Sequence, residues 1–155
     1  MIGAPDDGDG GDDDGGEPER AQSIHDRLRG LSPVEQHKIA HGNDVSQRIV
    51  LERLYGKSVW EPLLNNPRLT APEVARIARM GALPRPLIDL ILANLGWLNQ
   101  PQVRRALLSN PRLSSDGVDK VLRLLPKPEL RLVPKQMGYP STVRDIARRL
   151  LKHLG

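Results

Sequence analysis

Beyond about residue 20, apolar positions fall three and four apart in short runs, each opened by a capping residue or proline and closed by Gly, Asn or Pro. No stretch alternates apolar and polar residues in the way a half-buried strand does. The pattern predicts helices at 21–29, 33–41, 44–55, 58–65, 71–80, 85–95, 101–109, 115–125, 127–133 and 141–153. Three of the starts rest on Ser or Thr followed three residues later by Glu, the spacing at which side chain and backbone cap each other: Ser32 with Glu35, Ser58 with Glu61, and Thr70 with Glu73. The fold class expected is all-α.

Comparing the chain with itself says more than any single helix. Residues 59–70 and 103–114 share V-x-x-x-L-L-x-N-P-R-L-[ST] at an offset of 44, and the match runs on through Val74/Val118, Ile77/Val121 and Arg79/Arg123. The helix around Val143, Ile146 and Arg148 echoes the same letters. A period of that size indicates stacked helical units. The corner letters have a physical reading: Leu-Leu ends a buried helix, Asn66 or Asn110 suits a left-handed C-terminal position, and Pro67 or Pro111 stops the helix. Arg68 and Arg112 follow, Leu69 or Leu113 pins the corner to the core, and Thr70 or Ser114 caps the next helix. The expected core is Leu63, Leu64, Leu69, Val74, Ile77, Leu87, Leu90, Ile91, Leu107, Leu108, Val118, Val121, Ile146 and Leu150.

The segments NNPRLTAPEVARIA and SNPRLSSDGVDKVL resemble the short helical repeats of the leucine-rich-repeat-variant and HEAT-like families, in particular small bacterial proteins with N-P-[RK]-[LIT]-[TS] corners. The resemblance covers roughly residues 45–153. It implies a short right-handed α-solenoid of stacked helical hairpins that binds other macromolecules. Two departures stand out: variant repeats accompany a Cys-ligated cluster, which a chain without cysteine cannot hold, and HEAT arrays have more units than appear here.

Charge then divides the chain. Of 19 acidic residues, 8 lie in the first 19 positions, where there is no Lys or Arg; the remaining 136 residues hold all 23 basic groups against 11 acids. The opening Asp/Gly-rich stretch has almost nothing apolar with which to offset the entropy of ordering, so residues 1–19 read as a disordered acidic tail and 20–155 as an α-helical repeat domain. Within that domain, 21–55 and 127–153 are expected as its caps. The tail's Asp spacing does not fit a calcium loop.

On a helical wheel started at Val74, Val118 and Val143, the residues Arg79, Arg123 and Arg148 fall about 140° from the apolar start, on the outer arc. Arg76 and Lys120 lie beside them and Arg149 widens the row, while Asp145 interrupts it. Stacked units would line these six cations into a basic surface for an acidic partner, or for the chain's own tail. The same charges also fit an ordinary solvated helix face.

Other chemistries find less support. His37 and His41 share a helix face, but Lys38 stands where a metalloprotease places its Glu, so neither a metal site nor a cofactor is expected. No nucleophile sits beside a base, and there is no Walker loop, GxSxG or GxGxxG, so the chain is expected not to be an enzyme. No apolar run approaches a membrane span, and the first residues are the opposite of a signal peptide, which points to a soluble cytoplasmic protein. The expectation is therefore a protein-binding adaptor that uses the cationic face and the groove between units. Two alternatives stay open: a non-specific nucleic-acid binder, for which Tyr55, Trp60, Trp97 and Tyr139 are the only stacking platforms, and a self-associating structural repeat.

Overall fold

Two of the three helices with an expected cap, those after Ser32 and Thr70, begin where the capping letters put them. In the computed structural model, which describes residues 16–154 and side chains from residue 22 on, the elements are α1 (Gly16–Leu28), α2 (Pro33–Ala40), α3 (Val45–Tyr55), α4 (Lys57–Leu64), α5 (Ala71–Ala78), α6 (Arg85–Leu92), α7 (Leu95–Leu98), α8 (Pro101–Ser109), α9 (Ser115–Leu124), α10 (Lys127–Leu132) and α11 (Ser141–Leu154). A 3₁₀ turn, Val133–Lys135, follows α10, and there is no strand among the described residues. The acidic tail expected at 1–19 lies outside the described residues up to position 15; its last four positions are already the first turn of α1. The other difference in element content is α7, a single turn capped by Asn94, whose side chain accepts from the Trp97 N–H at 3.1 Å.

The chain divides between Pro62 and Leu63 into two compact units. In the first, α1 and α2 both pack on α3. Ser32 and Glu35 cap each other as their spacing requires: the Ser32 N–H donates to Glu35 Oε1 at 2.9 Å and the Glu35 N–H donates to Ser32 Oγ at 3.2 Å. The Ser32 backbone N–H, and then its hydroxyl, hold the Glu35 carboxyl below the ordinary carboxylate value. Tyr55 ties the α1–α2 turn to α3, donating to Leu28 O at 2.5 Å and accepting from the Leu31 N–H at 2.9 Å, across Gly30 at φ +67°. The second expected cap, Ser58, is not one. Ser58 lies inside the first turn of α4, with its hydroxyl 3.2 Å from Tyr55 O and 3.4 Å from Gln36 Oε1, because α4 starts directly after Gly56, whose φ of +52° turns the chain.

In the second unit, α8 packs on α5, α9 on α8, and α11 on α9 and α10. The core is aliphatic, and every expected core residue is buried except Leu87 and Leu90. In α6 the inward face is instead Ile88, Ile91 and Leu92, which leaves Leu87 and Leu90 half-buried at its margin.

The two Asn-Pro corners are built alike. The Asn66 N–H donates to Leu63 O at 2.9 Å, the Leu69 N–H to Asn66 O at 3.0 Å, and the Arg68 N–H to Asn66 Oδ1 at 2.9 Å; around Asn110 the corresponding bonds to Leu107 O, from Leu113 and from Arg112 are 3.0, 3.1 and 2.9 Å. Asn110 has φ −83° and ψ 118°, an extended conformation and not the left-handed one expected for it. Asn is therefore needed for its side chain, which folds the corner by accepting a backbone N–H two residues on.

A second correspondence extends the internal sequence match by a helix. Leu83-Pro84-Arg85-Pro86-Leu87-Ile88 and Leu125-Pro126-Lys127-Pro128-Glu129-Leu130 share L-P-[RK]-P-x-[IL] at an offset of 42, with Leu83/Leu125 and Ile88/Leu130 buried and Arg85/Lys127 exposed. In both, Pro precedes the helix as its N-cap and a second Pro occupies its first turn. The sequence correspondence therefore covers three helical segments in each copy, those of α4, α5 and α6 and then those of α8, α9 and α10.

Candidate partner-binding surface

All six cations of the expected ladder, Arg76, Arg79, Lys120, Arg123, Arg148 and Arg149, are exposed, but they are not alike. Lys120 Nζ donates to Leu92 O at 2.9 Å and so satisfies a carbonyl at the C-terminus of α6. Arg123 Nε lies 2.7 Å from Asp119 Oδ2, and Arg148 Nη1 lies 2.6 Å from Asp145 Oδ1, both pairs one helical turn apart and on the surface. The side chains of Arg79, which follows α5 as its C-cap, and of Arg149 have no hydrogen-bond or ion-pair partner among the described residues.

Arg148 also does not continue the column of Arg79 and Arg123. α11 packs on α9 as α8 packs on α5, so α11 is the counterpart of α8, the first helix of a repeat. Their first turns agree bond for bond: the N–H groups of Val103 and Arg104 reach Gln100 O at 3.0 and 3.2 Å, and those of Val143 and Arg144 reach Pro140 O at 3.0 and 3.2 Å. Arg104 Nη1 then reaches back to Leu98 O at 3.0 Å and Arg144 Nε to Tyr139 O at 3.3 Å. In the first unit Arg48 makes the same reach to Gly42 O at 2.9 Å. The likeness of 143–148 to 74–79 is therefore that of two amphipathic helices of similar composition, and the repeated pair on second helices is Arg79 with Arg123.

The cationic surface has a member that the helical wheel omitted. Arg85 and Arg112 line an open groove of about 550 Å³ together with Pro111, Leu113, Ser114 and Ser115. Arg112 Nη1 lies 3.5 Å from Leu83 O, at the limit of a hydrogen bond, and both arginines are otherwise turned to solvent. Arg85 is legible from the L-P-[RK]-P motif, which places an exposed cation two residues after a buried Leu in both copies. Of the corner residues, Pro67, Arg68, Pro111 and Arg112 are exposed, while Asn66 and Asn110 are 1% exposed.

The remaining candidates are differently placed. Trp60 is buried and donates from Nε1 to Glu52 Oε2 at 3.0 Å, and Tyr55, Trp97 and Tyr139 are half-buried. Burial pushes the Tyr139 phenol above the ordinary tyrosine value, with Arg105 pulling the other way. His37 and His41 are exposed at the end of α2, and no cluster of three metal-ligating side chains exists among the described residues. No described helix is long and apolar enough to cross a membrane.

Comparison of the chain with protein-family models, with curated proteins and with solved structures gives no significant match.

Proposed function

We propose that this chain is a non-enzymatic binding module, a short right-handed α-solenoid whose basic outer face and inter-repeat groove hold an acidic segment of a partner protein. The observation that carries this reading is the charge of the second unit: residues 63–155 hold 16 Lys and Arg against 6 Asp and Glu, a net +10. Cations whose side chains have no partner among the described residues, Arg79, Arg85 and Arg149, are available to a ligand at once. Arg123 and Arg148 sit in exposed pairs of the kind worth about 0–1 kcal/mol, so a partner carboxylate can replace Asp119 or Asp145 at little cost. Lys120 contributes charge but stays on its carbonyl. A protein partner is favoured over a nucleic acid because the aromatic side chains that would stack on bases are buried or half-buried.

The test is fluorescence anisotropy with a labelled polyglutamate peptide and, in parallel, a labelled DNA duplex, across a salt series. Wild type is expected to bind polyglutamate more tightly than duplex at equal salt. Charge reversal of Arg79, Arg85 and Arg149 together is expected to weaken that binding by about tenfold or more. Tighter binding of duplex, with the steep salt dependence of counterion release, would transfer the surface to nucleic acid. Absence of binding to either probe at low salt would end the reading.

A further inference from the structure

The residues that receive the Asn-Pro corner in one repeat recur in the next without a corner in them. Between the repeats, Asn110 Nδ2 donates to Ala78 O at 2.7 Å and Met80 O at 3.0 Å, at the C-terminus of α5, and Arg112 approaches Leu83 O at the start of the α6 segment. The end of α8 and its corner thus seat on the α5–α6 bend. The counterparts of that bend are Leu122 for Ala78, Leu125 for Leu83, Lys127 for Arg85 and Leu130 for Ile88, by the offsets of 44 and 42.

These four, with Arg123, Leu150 and Leu154, line a groove of about 250 Å³ between the ends of α9 and α11 and the start of α10. α11 occupies the place of α8 but stays helical to Leu154 instead of turning at an Asn-Pro corner. Among the described residues, no corner enters the groove. Leu125, Leu130 and Leu150 form its buried floor, Leu154 at its rim is 53% exposed, and outside the lining Leu124 of α9 and Leu132 of α10 are exposed too.

We infer that this groove is a docking site for a short acidic amphipathic helix of a partner protein, whose apolar face lies on the exposed Leu154, over the buried floor of Leu125, Leu130 and Leu150, and whose carboxylates meet Arg123 and Lys127. The inference rests on the reading of the second unit as a binder of acidic proteins and gives that reading an anchor. Three observations select the occupant. The equivalent bend one repeat earlier holds the end of α8 and the corner that follows it, so the shape beside a helix end is one that a further turn of chain fills. A volume of about 250 Å³ is below that of a typical small-molecule pocket and suits one or two anchoring side chains. Residues 120–155 carry 9 Lys and Arg against 2 Asp and Glu, which selects an acidic occupant and disfavours a second copy of the same surface.

The probe is a fluorescein-labelled 14-residue peptide with Leu at helical spacings of three and four and Glu at most other positions, titrated with the full chain. Leu154→Asp and Lys127→Glu, both at exposed positions, are each expected to weaken binding by about tenfold, as for loss of an anchor. Circular dichroism checks that both variants keep wild-type helix content, and Lys38→Glu on α2 serves as an unaffected control. A peptide with Ala in place of Leu is expected to bind as weakly as the wild-type peptide binds Leu154→Asp. Unchanged affinity in Leu154→Asp overturns the inference, as does equal binding of the Ala peptide. If Arg79→Glu weakens the complex and Leu154→Asp does not, the outer face binds by charge alone: the groove is then wrong and the broader reading stands. Binding of anionic vesicles but not of the peptide also overturns it, and so does a dimer in sedimentation that Leu154→Asp dissociates.

Discussion

Asn110 shows how much structure one side chain can organise. Its Oδ1 accepts the Arg112 N–H, and its Nδ2 donates to Ala78 O and Met80 O about thirty residues earlier, so one buried amide closes its own corner and fastens it to the end of α5. Neither Asp nor Ala can do both. Asn110→Ala leaves the Arg112 N–H and the buried Ala78 O without this partner, and Met80 O with the Leu83 N–H alone, and is expected to lower unfolding stability by about 2 kcal/mol, read from the urea midpoint. Asn110→Asp keeps the acceptor but sets a carboxylate against two carbonyl oxygens. Its cost at neutral pH is expected to equal or exceed that of Ala, and to shrink relative to Ala as the pH falls. The sign follows from burial and the carbonyls raising the folded-state pKa of the new carboxyl, so the folded state binds the proton more tightly. If Asp and Ala cost the same at every pH, the donor role of the amide is wrong. The letters N-P-R announced a corner but gave the wrong reason for it. A left-handed backbone and a side-chain bond both select Asn, and only the backbone angles separate them.

At the scale of elements, the helices were legible because their stops and starts are local chemistry. Ser32 with Glu35 and Thr70 with Glu73 act within one turn and need no tertiary partner, and Glu73 does accept from both the Thr70 N–H and hydroxyl at 2.8 Å. What local letters do not carry is which helix lies on which. Arg148 was placed beside Arg79 and Arg123 because 143–148 and 74–79 share an amphipathic pattern, yet the packing of α11 on α9 gives it the role of α8. The better signal was the Arg four residues beyond the residue preceding each of α3, α8 and α11, Arg48, Arg104 and Arg144, each reaching back to a carbonyl of the preceding turn.

Gly117 is a second case in which neighbours decide. It sits in the first turn of α9, where Ala would ordinarily add helix propensity. A Cβ there would meet Leu113 Cδ1 at 2.7 Å, Leu113 Cγ at 3.2 Å and Leu92 Cδ1 at 3.3 Å, and both leucines are buried. Gly117→Ala is accordingly expected to destabilise the chain by about 1–2 kcal/mol in thermal or urea unfolding. A stabilised Gly117→Ala variant would mean that Leu113 can yield.

For the whole molecule, the decisive quantity is not the net charge of +4 but its division along the chain. Residues 1–62 carry 7 Lys and Arg against 13 Asp and Glu, a net −6, whereas residues 63–155 stand at +10. The division is legible from composition alone, because net charge is a sum over letters and does not depend on packing; the pairing of individual cations with Asp119, Asp145 or Leu92 O does. Two oppositely charged halves in one chain make an attraction between molecules that like net charges would not. At about 10 mM salt, where the screening length is about 30 Å, the negative half of one molecule is within reach of the positive half of another; at about 0.3 M it is screened. The second virial coefficient from static light scattering is therefore expected to be low or negative at low ionic strength and to rise as salt is added. A molecule that behaved as a uniform +4 sphere would do the reverse, its coefficient falling as salt screens its repulsion. Deleting residues 1–19, which removes 8 acids and no Lys or Arg, should convert the first behaviour into the second. If the deletion leaves the salt dependence unchanged, the attraction does not come from the acidic end, and the cations of the second unit are answered by acids nearer to them.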